Sequence, residues 1–99
     1  MRLPLNYHTT IKQLAAQVFG SDASVCLFGS RLDDTAKGGD IDLLVKLASP
    51  TEDKAMLAIR YNALLQMKLG LQKFDILIID PSTDLKPIHV HALAQGTPL

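Results

Sequence analysis

The stretch LFGSRLDDTAKGGDIDLLVK, residues 27–46, decides how this chain is read. It holds the end of one apolar run, a polar segment with paired glycines, and a second apolar run that opens on Asp40 and Asp42. Carboxylates at the mouth of a buried strand repel one another and lose hydration, so an acid pair there calls for a nearby cation. In a strand, residues two apart share a face at a spacing of about 6–7 Å. Asp40 and Asp42 can therefore reach toward one point on the face of Leu44, while Ile41, Leu43 and Val45 point the other way.

Working outward, SVCLF (24–28) reads as a buried strand that ends at Gly29. KFDILIID (73–80) reads as a third strand, with Phe74, Ile76 and Ile78 on one face and Asp75, Leu77 and Ile79 on the other. Asp75 is an acid where the alternation asks for a core residue. If the second and third strands are neighbours, Asp40, Asp42 and Asp75 converge.

The flanking segments are helical in period. TTIKQLAAQVFGS (9–21) places Ile11, Leu14, Ala15, Val18 and Phe19 on one stripe. Thr10 with Gln13 predicts a capping box there, and Gly20 a stop. SPTEDKAMLAIRYNALLQMKLG (49–70) predicts a helix with Ser49 as N-cap, Pro50 at its first position and Glu52 completing the box. Met56, Ile59, Ala63 and Met67 form its expected core stripe, and Gly70 ends it. A last helix is expected over about Pro87 to Gln95, capped by Gly96.

The order α-β-loop-β-α-β-α over residues 1–99 predicts one domain of α+β class, a two-layer fold with helices packed on a small sheet. A long helix between the second and third strands permits a parallel pair. The modest loop between the first and second argues for a mixed sheet.

Composition narrows the function. Of 99 residues 47% are apolar and 20% charged, which excludes a disordered tail. Ten basic residues balance ten acidic ones, so the basic surface that sequence-independent nucleic-acid binding needs is not declared. The single cysteine, Cys26, has no internal disulfide partner and reads as a small buried hydrophobe. MRLPLNYHTT is too short in apolar residues for a secretory leader, and no stretch approaches the ~20 apolar residues of a membrane span. A reducing cytoplasm is the expected location.

The chemistry follows from residue type. Three oxygen ligands suit Mg²⁺, which takes one or two protein carboxylates and completes its shell with water and phosphate. Gly29 and Ser30, where the first strand gives way, offer backbone N–H groups and a hydroxyl to a phosphate, and Arg31 beside them is a candidate to steady it. The spacings of a P-loop, a dinucleotide fingerprint and an EF-hand are absent. His89 and His91 lie two apart on a predicted helix and do not face each other, so they make no metal pair.

GSRLDDTAKGGDIDLLV resembles the G-S…D-x-D signature of the DNA polymerase beta-like nucleotidyltransferase superfamily, and within it the minimal nucleotidyltransferases of prokaryotes. The likeness covers nearly the whole chain. It implies two Mg²⁺ ions and a nucleoside triphosphate, with ATP as the expected substrate, bound through Gly29 and Ser30. By the same resemblance Asp40 and Asp42 match the paired metal ligands. Asp75 matches a third carboxylate that binds the catalytic metal and helps the acceptor hydroxyl lose its proton. Many members carry a serine just before D-x-D where this chain has Gly39, so a hydroxyl contact from that position is lost. Such domains often serve as antitoxins that pair with, and in some cases adenylylate, a helical toxin of the HEPN type. The alternatives are a non-catalytic module that neutralises its partner by binding, and an antibiotic-modifying transferase.

Overall fold

The computed structural model describes residues 5–28, 40–70 and 73–99. Its elements run α1 (Leu5–Phe19), β1 (Ser24–Phe28), β2 (Asp40–Lys46), α2 (Lys54–Leu69), β3 (Lys73–Ile79), α3 (Pro87–Gln95) and β4 (Thr97–Pro98). The sheet order is β3-β2-β1-β4, with β2 and β3 parallel and the other two pairs antiparallel. This is the mixed α+β sheet that the sequence predicts.

Alternation decides where the core sits. Ile41, Leu43 and Val45 of β2 pack with Ile11 and Leu14 of α1 and with Tyr61 and Leu65 of α2. The opposite face carries a smaller cluster in which Ala92 of α3 meets Phe28, Leu44 and Ile79. Tyr61 ties the two large helices together. Its buried hydroxyl donates to the Ile11 carbonyl at 2.8 Å, and its ring meets Phe19 edge-on at 5.1 Å. Burial holds the phenol above its ordinary pKa, so it stays a donor.

Three local expectations are corrected. α1 begins at Leu5, so Thr10 lies inside the helix rather than at its cap. The helix extends because Tyr7, one turn before Ile11, also packs against the core. Gly20 does end it, at φ +99°, with its N–H on the Ala16 carbonyl at 2.9 Å.

α2 begins at Lys54, after the Ser49-Pro50-Glu52 start, and its N-cap Asp53 makes no side-chain capping bond. The backbone N–H of Thr51 is used elsewhere: it donates to Asp80 Oδ2 at 2.9 Å, which holds the segment against the exit of β3. The core stripe is also a different one. Met56, Ile59 and Met67 are 56%, 63% and 79% exposed, while Tyr61 and Leu65 are fully buried with Leu57 and Leu64 packed beside them. Both stripes have helical period, so periodicity alone does not choose between them. The choice falls to the face whose tyrosine finds a polar partner on α1.

α3 has the expected span and the expected cap, Gly96, whose N–H donates to the Ala92 carbonyl at 2.8 Å from an extended backbone at φ −69°. A Cβ there would lie 2.6 Å from the Ala92 carbonyl oxygen and 3.1 Å from Cys26 Cβ. Glycine lets the chain pass close to β1 and enter β4, a short strand that the sequence did not announce. Leu99 extends that contact by donating its N–H to the Val25 carbonyl at 3.0 Å.

Candidate functional site

Strand register builds the site. Asp42 pairs with Asp75 across the parallel β2–β3 ladder, and with Phe28 across the antiparallel β1–β2 ladder. Directly paired residues stand on one face of a sheet, about 4.8 Å apart between strands. Phe28, Asp42 and Asp75 thus form a row on the face that α3 partly covers. Exposure rises along it: Phe28 is buried, Asp42 is half-buried and Asp75 is exposed. The Asp75 side chain makes no hydrogen bond or ion pair with the described residues.

Asp40 opens β2 two residues before Asp42, and its backbone pairs with Lys73. The register therefore brings Asp40, Asp42 and Asp75 to one end of two adjacent strands. Gly29, Ser30 and Arg31 lie outside the described residues. So does the segment up to Gly39.

The donor set fits a hard divalent cation. Asp42 and Asp75 supply only oxygen, from neighbouring strands, and match the one or two carboxylates that Mg²⁺ ordinarily takes. Among the described residues no group of three or more His, Cys, Asp or Glu is placed so that it could hold a metal ion.

A fourth aspartate shows what a structural acid looks like here. Asp80 follows β3, and its side chain is fully buried. Oδ1 accepts the Ser82 hydroxyl at 2.6 Å, the Ser82 N–H at 2.8 Å and the Thr83 hydroxyl at 3.2 Å. Oδ2 takes the Thr51 N–H and the Lys54 ammonium, the latter at 3.0 Å. The Ser82 hydroxyl, the Thr51 N–H and the Lys54 ammonium hold its carboxyl well below the usual carboxylate range, against the opposing effect of burial. Its lone pairs are occupied by the chain itself, so it has none to offer a ligand.

Two other residue types are disposed of by their surroundings. Burial pushes the Cys26 thiol up, with Lys46 opposing, so it is a poor nucleophile. The Nδ1 of His89 accepts the Lys86 N–H at 3.0 Å and caps α3.

Residues 9–92 match the model of the nucleotidyltransferase domain family. The chain belongs to that family. The matched span runs from within α1 to within α3 and contains the whole Phe28–Asp42–Asp75 row. The nucleotidyltransferase domain is accordingly a transferase fold, and its chemistry is nucleotidyl transfer. No curated protein matches the chain. Among the described residues of this nucleotidyltransferase no helix is long and apolar enough to cross a membrane.

Two further residues at this strand carry a signal in the sequence. Lys73 sits two positions before Asp75, and the alternation that placed Asp75 on its face places Lys73 there too. Asp80 ends KFDILIID, and an Asp followed two and three positions later by Ser82 and Thr83 is the signature of a side-chain-closed turn.

Proposed function

We propose that this nucleotidyltransferase domain transfers an adenylyl group from Mg²⁺-bound ATP to an acceptor hydroxyl on a helical protein of the HEPN type, and acts as its antitoxin. The observation that carries the reading is the direct pairing of Asp42 with Asp75, beside Asp40, inside a matched nucleotidyltransferase domain. Asp40 and Asp42 would hold the metal of the triphosphate, and all three acids a second ion. Bound magnesium would spread the charge of the phosphate oxygens and lower the pKa of a coordinated hydroxyl. Gly29, Ser30 and Arg31 would cradle the phosphates, through N–H groups, a hydroxyl and a guanidinium. Asp75, the exposed end of the row, would take the acceptor's proton. The acceptor oxygen then bonds to the α-phosphorus, and the bond to pyrophosphate breaks.

A second reading rests on α2. Its exposed stripe of Met56, Ile59, Ala63 and Met67 is a surface for a protein, and a module that neutralises a partner by covering it needs no more. Incubation with α-labelled ATP, Mg²⁺ and the co-expressed HEPN-type partner separates the two. The transferase puts label on the partner and releases pyrophosphate. Asp42→Ala and Asp75→Ala lower labelling by about 10²–10³-fold or more, the scale on which one group stabilising transition-state charge acts. A partner that is never labelled, and that all variants neutralise equally, establishes the binding module instead.

A further inference from the structure

The acid row has a cation built into it. Lys73 pairs with Asp40 across the β2–β3 ladder, one pleat from the Asp42–Asp75 pair. It shares the sheet face of Asp75, being two residues before it on the same strand, at a Cα spacing of about 6–7 Å. It is exposed, like Asp75. The next lysine along this face, Lys46, pairs with Ile79 at the far end of the ladder. It lies four positions beyond Asp42.

We propose that Lys73 is a substrate-binding residue of this site, its ammonium taking a phosphate oxygen of the metal-bound nucleoside triphosphate. The inference rests on the nucleotidyltransferase reading above and goes beyond its acidic residues. Charge carries it. Three carboxylates with two divalent ions leave about one positive charge, against about four negative charges on a triphosphate, so further cations are needed where the phosphates lie. Among the described residues Lys73 is the one that the register sets beside the acids on their own face. A lysine suits this task because a flexible stem with three donors can follow the phosphates as the acids are taken up by metal. Without nucleotide the same ammonium lowers the mutual repulsion of Asp40, Asp42 and Asp75, which answers why acids are tolerated at the mouth of β2.

The test uses the full chain with a fluorescent ATP analogue and Mg²⁺, alongside Mn²⁺ alone followed by its paramagnetic signal. Lys73→Gln is expected to weaken triphosphate binding about tenfold or more, and Lys73→Arg to retain most of it. Because Lys73 is exposed, the difference between wild type and Lys73→Gln should shrink as salt rises. Mn²⁺ binding without nucleotide should be unchanged or tighter in Lys73→Gln, since a competing cation has gone, and the melting curve confirms that the variant folds. If Lys73→Gln binds the triphosphate as wild type does while Asp42→Ala does not, the lysine proposal is overturned and the acid site stands. If wild type itself binds no triphosphate with Mg²⁺, both fall.

Discussion

β3 carries an aspartate near each end, and the two have opposite fates. Asp75, two residues into the strand, is exposed and has no partner among the described residues. Asp80, one residue past the strand, is buried beneath the start of α2 with both oxygens engaged by Thr51, Lys54, Ser82 and Thr83. The difference lies in what the chain supplies around each one. After Asp80 come a proline, a serine and a threonine that turn back on it. Around Asp75 the register supplies Asp42 and, through Lys73, the backbone of Asp40. An acid answered by its own chain is a staple. Asp75, set beside Asp42 with no side-chain partner of its own among the described residues, is open to a ligand.

The comparison breaks first at Asp80. Asp80→Ala should lower the melting temperature by roughly 10 °C, because it strands a lysine and several buried donors at once. Asp75→Ala should move it by no more than about 2 °C, as an exposed substitution with no contacts to lose. Equal losses at the two sites would erase the distinction.

Acid sharpens it. A carboxyl held below the usual range in the folded state binds its proton more readily in the unfolded chain. Its stabilising contribution is therefore complete above the ordinary aspartate value of about 3.9, and is lost as pH falls through the lower folded-state value. The gap in melting temperature between wild type and Asp80→Asn should be constant from neutral pH to about pH 5 and narrow below about pH 4. A gap that holds its size into stronger acid would mean that Asp80 acts through packing and not through charge.

A smaller effect tests the two faces of α2. Tyr61→Phe removes the buried bond to the Ile11 carbonyl and should cost about 1 kcal/mol in urea unfolding. Met67→Ser on the exposed stripe should change stability by less than about 0.5 kcal/mol. A large loss at Met67 would restore that stripe to the core.

These pairs also show what a sequence gives away. Strand alternation was legible because its period of two leaves little choice: Ile41, Leu43 and Val45 had one face available, and Asp42 and Asp75 had the other. The acid pairing followed once β2 and β3 were neighbours. Helix faces were less legible, because α2 carries two apolar stripes of the same period and only a long-range bond from Tyr61 to α1 separates them. Helix starts failed for a similar reason. Thr51, inside a plausible cap, is claimed by Asp80, 29 positions along the chain. Lys73 is legible from the same alternation as Asp75, since the two lie two positions apart on one strand.

The central claim is that the Asp42–Asp75 pair exists for a ligand and not for the fold. Melting the wild type, Asp42→Asn and Asp75→Asn with and without Mg²⁺ and ATP tests it most directly. Binding to the folded state alone stabilises as RT ln(1 + [L]/Kd), about 2.7 kcal/mol at a hundredfold excess over Kd. The account predicts that both variants melt at or above the wild-type temperature without ligand, through relief of like-charge repulsion, and lose the stabilisation that Mg²⁺ with ATP gives the wild type. Variants that melt lower without ligand, as Asp80→Asn is expected to, yet still gain the full stabilisation from Mg²⁺ and ATP, would contradict it.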